Sequence, residues 1–171
     1  MPRRLLRDGR VVIDDWAYLA ETGDADAASP PGGEPVERGL ILTFDQWLAD
    51  RAKWLGAAGR LGVVLSPAHK VEQLAPDLAR FQLIGAEFSG PSEGRGYTQG
   101  RLLRERYRWN GELRATGYVR RDQLFFMARC GFNSFELPDS EIDSAGTAFS
   151  TFSAEYQPSN DLGLALKLRH R

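Results

Sequence analysis

Gly94, Gly96 and Gly100 stand ahead of a run of arginines in SGPSEGRGYTQGRLLRER, residues 89 to 106. Gly94 and Gly96 flank Arg95, Tyr97 and Thr98 follow, and Gly100 leads into Arg101, Arg104 and Arg106. Glycine lets a backbone approach a ligand closely, and a helix starting near Tyr97 would offer unpaired N–H groups in a positive dipole. Thr98 adds a hydroxyl and Arg95 a forked guanidinium. The chemistry expected of such a turn is the holding of an anion. Its spacing, G-x-G-x-x-x-G, is one residue longer than the dinucleotide fingerprint, and no acid ends the next strand to hold a ribose. The turn therefore names no cofactor. Gly100 is expected to bring its helix close to the sheet.

A second basic point is TGYVRRDQ, where Arg120 and Arg121 open the next helix and Asp122 is placed to cap it. Two consecutive strand ends with arginine at the helix start predict one shared anion pocket. Arg101, Arg104 and Arg108 fall on one helical face and predict a docking surface for an acidic partner. The competing reading of that face is a solvated helix surface. His69 follows Pro67 near a strand end, as an acid or base or as a surface histidine at a helix start. Cys130 precedes Gly131 at a helix end, where the negative dipole disfavours a thiolate, so a buried structural thiol is expected. No Ser-His-Asp order and no paired-carboxylate motif stands out.

The composition bounds the rest. One cysteine excludes an intrachain disulfide framework, and two histidines disfavour a histidine-rich metal site. The net charge of −1 gives no overall pull towards nucleic acid or membrane. The distribution is uneven, because residues 95 to 129 hold nine arginines and no lysine. No apolar run reaches the length of a signal peptide or a membrane span, so a cytoplasmic location is expected. A homo-oligomer is compatible with these features.

These groups must be positioned by the elements around them. Small, acidic and Pro/Gly-rich residues 21 to 35 read as a surface loop after a strand-like VVIDDWAYL. TFDQWLADRAKWLGAAG reads as one amphipathic helix with Thr43 as N-cap and Trp47 and Trp54 in the core. From residue 61, strand and helix alternate four times: LGVVL, HKVEQLAPDLARF, FQLIGAEF, GYTQGRLLRERYRW, ELRAT, RDQLFFMARCG, SFEL and SEIDSAGTAFSTFSAEY. That rhythm predicts an α/β domain with a mostly parallel sheet built from about four βα units. Either a partial βα-barrel or an open doubly wound sheet would fit. The whole chain reads as a single domain: an N-terminal strand and loop over 1–38, a βα core over 39–157 and a tail over 158–171. In a parallel sheet, ligands sit beyond the carboxyl ends of the strands, which gathers Ser66, Ser89, Thr116 and Pro138 on one edge.

GRGYTQGRLLRERY, GELRATGYVRRDQLFFMARCGF and SFEL together resemble an uncharacterised bacterial family labelled as an oxidoreductase involved in sulfite reduction. The resemblance covers most of residues 40 to 157. It implies a role beside assimilatory sulfite reductase and adenylylsulfate or phosphoadenylylsulfate reductase, as an accessory that binds a small anion or docks to one of these enzymes. The alternative is an enzyme holding a phosphate-bearing cofactor or substrate at the turn 94–98. The family pattern falls on Gly94, Arg95, Gly96, Tyr97, Arg101, Leu102, Arg104, Arg121, Asp122, Gln123, Arg129, Cys130, Gly131 and Phe132. Tyr118 and Asn133 stand where relatives more often carry a carboxylate.

Overall fold

A computed structural model describes residues 3–19 and 38–145. The loop expected at 21–35, the end of the closing helix and the tail over 158–171 lie outside the described residues.

The chain opens with a hairpin. β1 (Arg4–Arg7) pairs antiparallel with β2 (Arg10–Ile13) through Asp8 and Gly9. Both turn residues have positive φ, 49° and 75°, the requirement of a two-residue turn whose twist matches its strands. Asp-Gly supplies both with little strain. β3 (Trp16–Tyr18) follows, then β4 (Gly39–Thr43), β5 (Leu61–Leu65), β6 (Leu83–Phe88), β7 (Glu112–Gly117) and the short β8 (Ser134–Phe135).

The eight strands form one curled sheet in the order β2-β1-β8-β7-β6-β5-β4-β3. β3 to β8 run parallel in strict sequence, and the N-terminal hairpin joins antiparallel to β8. The sheet is mostly parallel as expected, and its curl fits the partial-barrel alternative. The count of four βα units is corrected to eight strands in a mixed half-barrel, because the N-terminal hairpin adds two antiparallel strands and β3 and β4 extend the parallel run. The doubly wound alternative is set aside, since a sequential order has no point at which strand order reverses. Right-handed crossovers in sequence place every connecting helix on the same face.

α1 (Phe44–Ala49) and α2 (Arg51–Gly56) replace the single helix read over 43–59. Asp50, at φ −132° and ψ 42°, breaks it. Thr43 caps α1 as expected, accepting from the Gln46 N–H while the Gln46 side chain accepts from the Thr43 N–H. α3 (Val71–Leu74) runs into a 3-10 turn over Ala75–Arg80. α4 (Arg95–Arg101) continues as a π turn over Leu102–Arg106. A 3-10 turn at Arg121–Gln123 precedes α5 (Leu124–Arg129), and α6 (Asp139–Ala145) ends the described region.

The main core lies between the helices and one sheet face. It joins Phe44, Trp47, Trp54, Leu74, Leu103, Leu124 and Met127 to Leu42, Val63, Ile84, Phe88, Leu113 and Phe135. The other face, by strand alternation, carries Trp16, Ile41 and Leu83 beside charged groups of β7. There Arg114 is fully buried, bonded to both oxygens of Asp14 and to Glu112 and Glu136. Tyr18 donates to Glu136, and Arg7 and Arg60 both hold Asp15. This network clasps the hairpin and β3 to the middle of the sheet. Asn133 adds a second tie, accepting from the Leu113 N–H and donating to Asp8 in the hairpin turn.

Candidate functional site

Beyond the carboxyl ends of β5 and β6 lies a cleft of about 350 Å³. Its walls are the β5–α3 connection with the first residues of α3 on one side and the outer face of α4 on the other. The first wall supplies His69, Lys70 and Glu72, and the second supplies Arg95, Thr98, Gln99 and Leu102. A site at the carboxyl edge of parallel strands is where this sheet architecture places ligands. The volume falls in the range of small-molecule sites, about 300 to 1,000 Å³.

Each wall is fixed by its own chemistry. Ser66, Pro67, Ala68 and His69 form a turn closed by the His69 N–H donating to the Ser66 carbonyl. The His69 ring turns back, and its Nδ1 accepts from the Ser66 N–H at 3.0 Å, with Ser66 Oγ 3.1 Å away. The neutral ring then carries its proton on Nε2, which faces Asp45 Oδ1 at 3.4 Å. Phe44 packs against the ring with centroids 4.7 Å apart. From the opposite wall, Gln99 donates from Nε2 to the carbonyls of both Ser66 and His69, each at 2.9 Å. One amide thus pins the loop to α4.

The electrostatics of the cleft are net basic. Among the described residues, Arg95 and Lys70 are exposed and form no ion pair. The acid on the wall, Glu72, faces Arg106 at 3.5 Å. Thr98 adds an O–H group that can donate to an anion, whereas the N–H groups of His69 face the Ser66 carbonyl and Asp45.

The site residues expected from sequence separate into three groups. Arg95 and Thr98 reach the cleft. Gly94, Gly96 and Tyr97 do not line the cleft, and at the helix start the Arg95 N–H donates to the Glu93 carboxylate. Gly96 is buried, and a Cβ there would meet the Phe88 ring at 2.6 Å. Tyr97 packs edge-on against Phe88 and Phe126, 4.9 and 5.0 Å between centroids. Its phenol is raised above the usual range, first by burial.

Arg120 and Arg121 do not share a pocket with the turn. Glu141 of α6 holds both, accepting from the Arg120 guanidinium and from the Arg121 N–H at 2.8 Å each. The local N–H at Arg120 is capped by the Gln123 side chain, in the role expected of Asp122. Glu141 in turn is held below the usual carboxylate range by the Arg121 N–H and then by Arg120.

The arginine stripe is corrected as well. Arg104 is buried at 6% exposure, donating to the Gly131 and Trp109 carbonyls, with its guanidinium over the Trp109 ring. Burial pulls it down to about 10. Arg108 lies past the helix with φ 53°, and Arg101 is exposed beside Glu105 at 3.8 Å. The π turn explains the difference, since one extra residue per turn rotates Arg104 inward and removes Arg108 from the face a regular helix would give it. A docking surface made of these three side chains does not exist.

Lys70 and Gln99 were missed in sequence. Lys70 stands next to His69 before a helix and has no motif, and Gln99 reads as an ordinary helical residue. Their association needs the β5–α3 loop to meet α4 across 30 residues of chain. No group of three or more His, Cys, Asp or Glu side chains among the described residues could hold a metal. No helix among them is long and apolar enough to cross a membrane.

The family model for DUF934, bacterial protein of unknown function, matches residues 62–166. No curated protein and no solved structure matches the chain. The matched span contains both walls of the cleft, the π turn and Cys130. The chain belongs to this family.

Proposed function

We propose that this member of a bacterial family of unknown function is a small-oxyanion-binding accessory protein of assimilatory sulfite reduction. The observation that carries the binding half is the cleft between the β5–α3 loop and α4, with the two unpaired cations Arg95 and Lys70 on its opposite walls. An anion between them receives charge-assisted hydrogen bonds from both sides, and Thr98 supplies a neutral donor. The reading moves the anion from the helix start, where the Arg95 N–H donates to Glu93, to the side of the helix one turn along.

The pathway half rests on the resemblance of GRGYTQGRLLRERY and GELRATGYVRRDQLFFMARCGF to the sulfite-reduction family. Sulfite reductase and adenylylsulfate or phosphoadenylylsulfate reductase are the partners proposed on that ground. The arginine stripe gives them no docking surface, so contact through the rim of the cleft is the remaining form of the proposal.

The test is calorimetric titration of the purified protein with sulfite, sulfate and phosphate, beside Arg95→Ala and Lys70→Ala. Each exposed substitution should leave the fold intact and weaken anion binding by about tenfold or more, as loss of a hydrogen bond to a charged group does. Absence of binding by all three anions at millimolar concentration would remove the cleft as a site.

A further inference from the structure

The cleft is larger and more apolar than a bare oxyanion needs. On α4 its lining residues are Arg95, Thr98, Gln99 and Leu102, which share one helical face. At a rise of about 1.5 Å per residue, Leu102 stands about 10 Å along the axis from Arg95. The loop runs beside this face over the same length. Gln99 holds the carbonyls of Ser66 and His69, and past Leu102 the side chain of Arg106 faces Glu72 at 3.5 Å. Each oxygen of a tetrahedral ion needs no more than a water's share of space, about 30 Å³. Four of them take up roughly a third of the cleft's volume of about 350 Å³. An inorganic ion held by Arg95 and Thr98 therefore leaves the Leu102 end uncovered.

What remains offers carbon. Pro67, Ala68 and Leu102 line the cleft, and all three keep accessible surface. Their side chains neither donate nor accept, so an apolar group that displaces water from them is favoured. Leu102 also packs against the main core, which holds its surface in place. Resting on the anion-binding reading above, we propose that the ligand of this cleft is an organic oxyanion. Its phosphate, sulfate or sulfonate group is held by Arg95 and Lys70, and a small apolar body covers Pro67, Ala68 and Leu102.

Phenyl phosphate and methyl phosphate allow a direct comparison. They carry the same head group, and at pH 8 both are doubly negative, since the second ionisation of a phosphate ester lies near about 6. They differ only in the apolar body. Cations alone bind the two alike, whereas a cleft with an apolar end prefers the ring.

The experiment is titration of the intact protein with the two esters, and with inorganic phosphate, at pH 8 and equal ionic strength. Phenyl phosphate should bind at least roughly tenfold more tightly than methyl phosphate, the effect of covering a modest apolar area. Arg95→Ala should weaken both esters by a similar factor, whereas Leu102→Ala should shrink the ratio between them. Because Leu102 also touches the core, that variant can lose stability. The methyl resonances of Ala68 and Leu102 in the wild-type protein are therefore followed in parallel. They should move with phenyl phosphate, through its ring current, and stay nearly in place with methyl phosphate. Equal affinity for the two esters, a ratio unchanged in folded Leu102→Ala, or methyl resonances that ignore the ring would each overturn the proposal and leave simple anion binding standing. Phenyl phosphate binding that Arg95→Ala and Lys70→Ala leave untouched, or binding of neither ester nor phosphate, would overturn the anion site itself.

Discussion

The nine arginines of residues 95 to 129 are alike in sequence and differ sharply in surroundings. Arg104 and Arg114 are buried, the Arg120 guanidinium donates to Glu141 and that of Arg121 to the Ser144 carbonyl, and Arg95 is exposed at the cleft without an ion pair. The difference has measurable consequences for stability. Arg104→Ala strips donors from the buried carbonyls of Gly131 and Trp109 and should cost about 2 to 6 kcal/mol, at roughly 1 to 3 for each unpaired group. Arg101→Ala, on the exposed side of the same helix, should fall within about 0.5 kcal/mol of wild type. Urea denaturation of the two variants checks both values; similar losses would contradict the buried role of Arg104. Cys130 is 2% exposed, and burial pushes its thiol up. Native protein should resist alkylation at neutral pH and react once unfolded, as mass spectrometry would show.

At the scale of elements, α4 separates the glycines that the turn motif had grouped. Gly94 has open space around its missing side chain and a φ of −96° that any residue adopts. Gly100 faces the Phe132 ring, where a Cβ would come within 2.6 Å, and the Cys130 carbonyl at 3.3 Å. It lets the helix lie close to the α5–β8 connection, while the close approach to the sheet falls to Gly96 against Phe88 of β6. Alanine favours a helix interior by about 1 kcal/mol over glycine, and overpacking a core costs about 1 to 3. Gly94→Ala should therefore be neutral, whereas Gly100→Ala should destabilise despite its better helix propensity. Thermal melts of the two variants decide it, and a stabilised Gly100→Ala would show that Phe132 moves aside without loss. The hairpin ties can be tested in the same way. Asp14→Asn removes one charge from the buried Arg114 network, which keeps Glu112 and Glu136, and should cost about 1 to 3 kcal/mol, the range for weakening a buried polar pairing.

For the whole molecule, that network joins distant segments. Arg3, Arg7, Arg60 and Arg114 meet Asp14, Asp15, Glu112 and Glu136 on the sheet face away from the helices. Burial alone would raise the Asp15 carboxyl. The hydrogen bonds from Arg7 and Arg60 outweigh it and hold the group at about 2. The unfolded chain titrates near about 3.9. A depressed carboxyl binds its proton later in the folded state, so its contribution is present above about pH 4 and is lost as pH falls towards 2. The urea midpoint should decline through that window, and the decline should shrink in Asp15→Asn. An unchanged profile in that variant would separate Asp15 from acid stability.

Local signals determined much of this protein by themselves. Thr43 as a cap, Trp47 and Trp54 as core, the parallel strands from residue 61 and the buried Cys130 follow from spacing and apolarity, which act over a few residues. The Asp8-Gly9 hairpin was legible too, but the basic start of the chain masked it, and β4 was hidden between a loop and a helix. Tertiary structure decided the rest. Whether Arg104 is a surface charge or a buried one depends on a π turn and on Trp109, and whether Arg120 and Arg121 are open depends on Glu141 and Ser144, some 20 residues away. The two walls of the cleft are tied together by the amide of Gln99, which reaches two carbonyls about 30 residues earlier in the chain. Helix and strand periods report which side of an element faces inward; they carry no information about which distant carboxylate, ring or carbonyl will be waiting there.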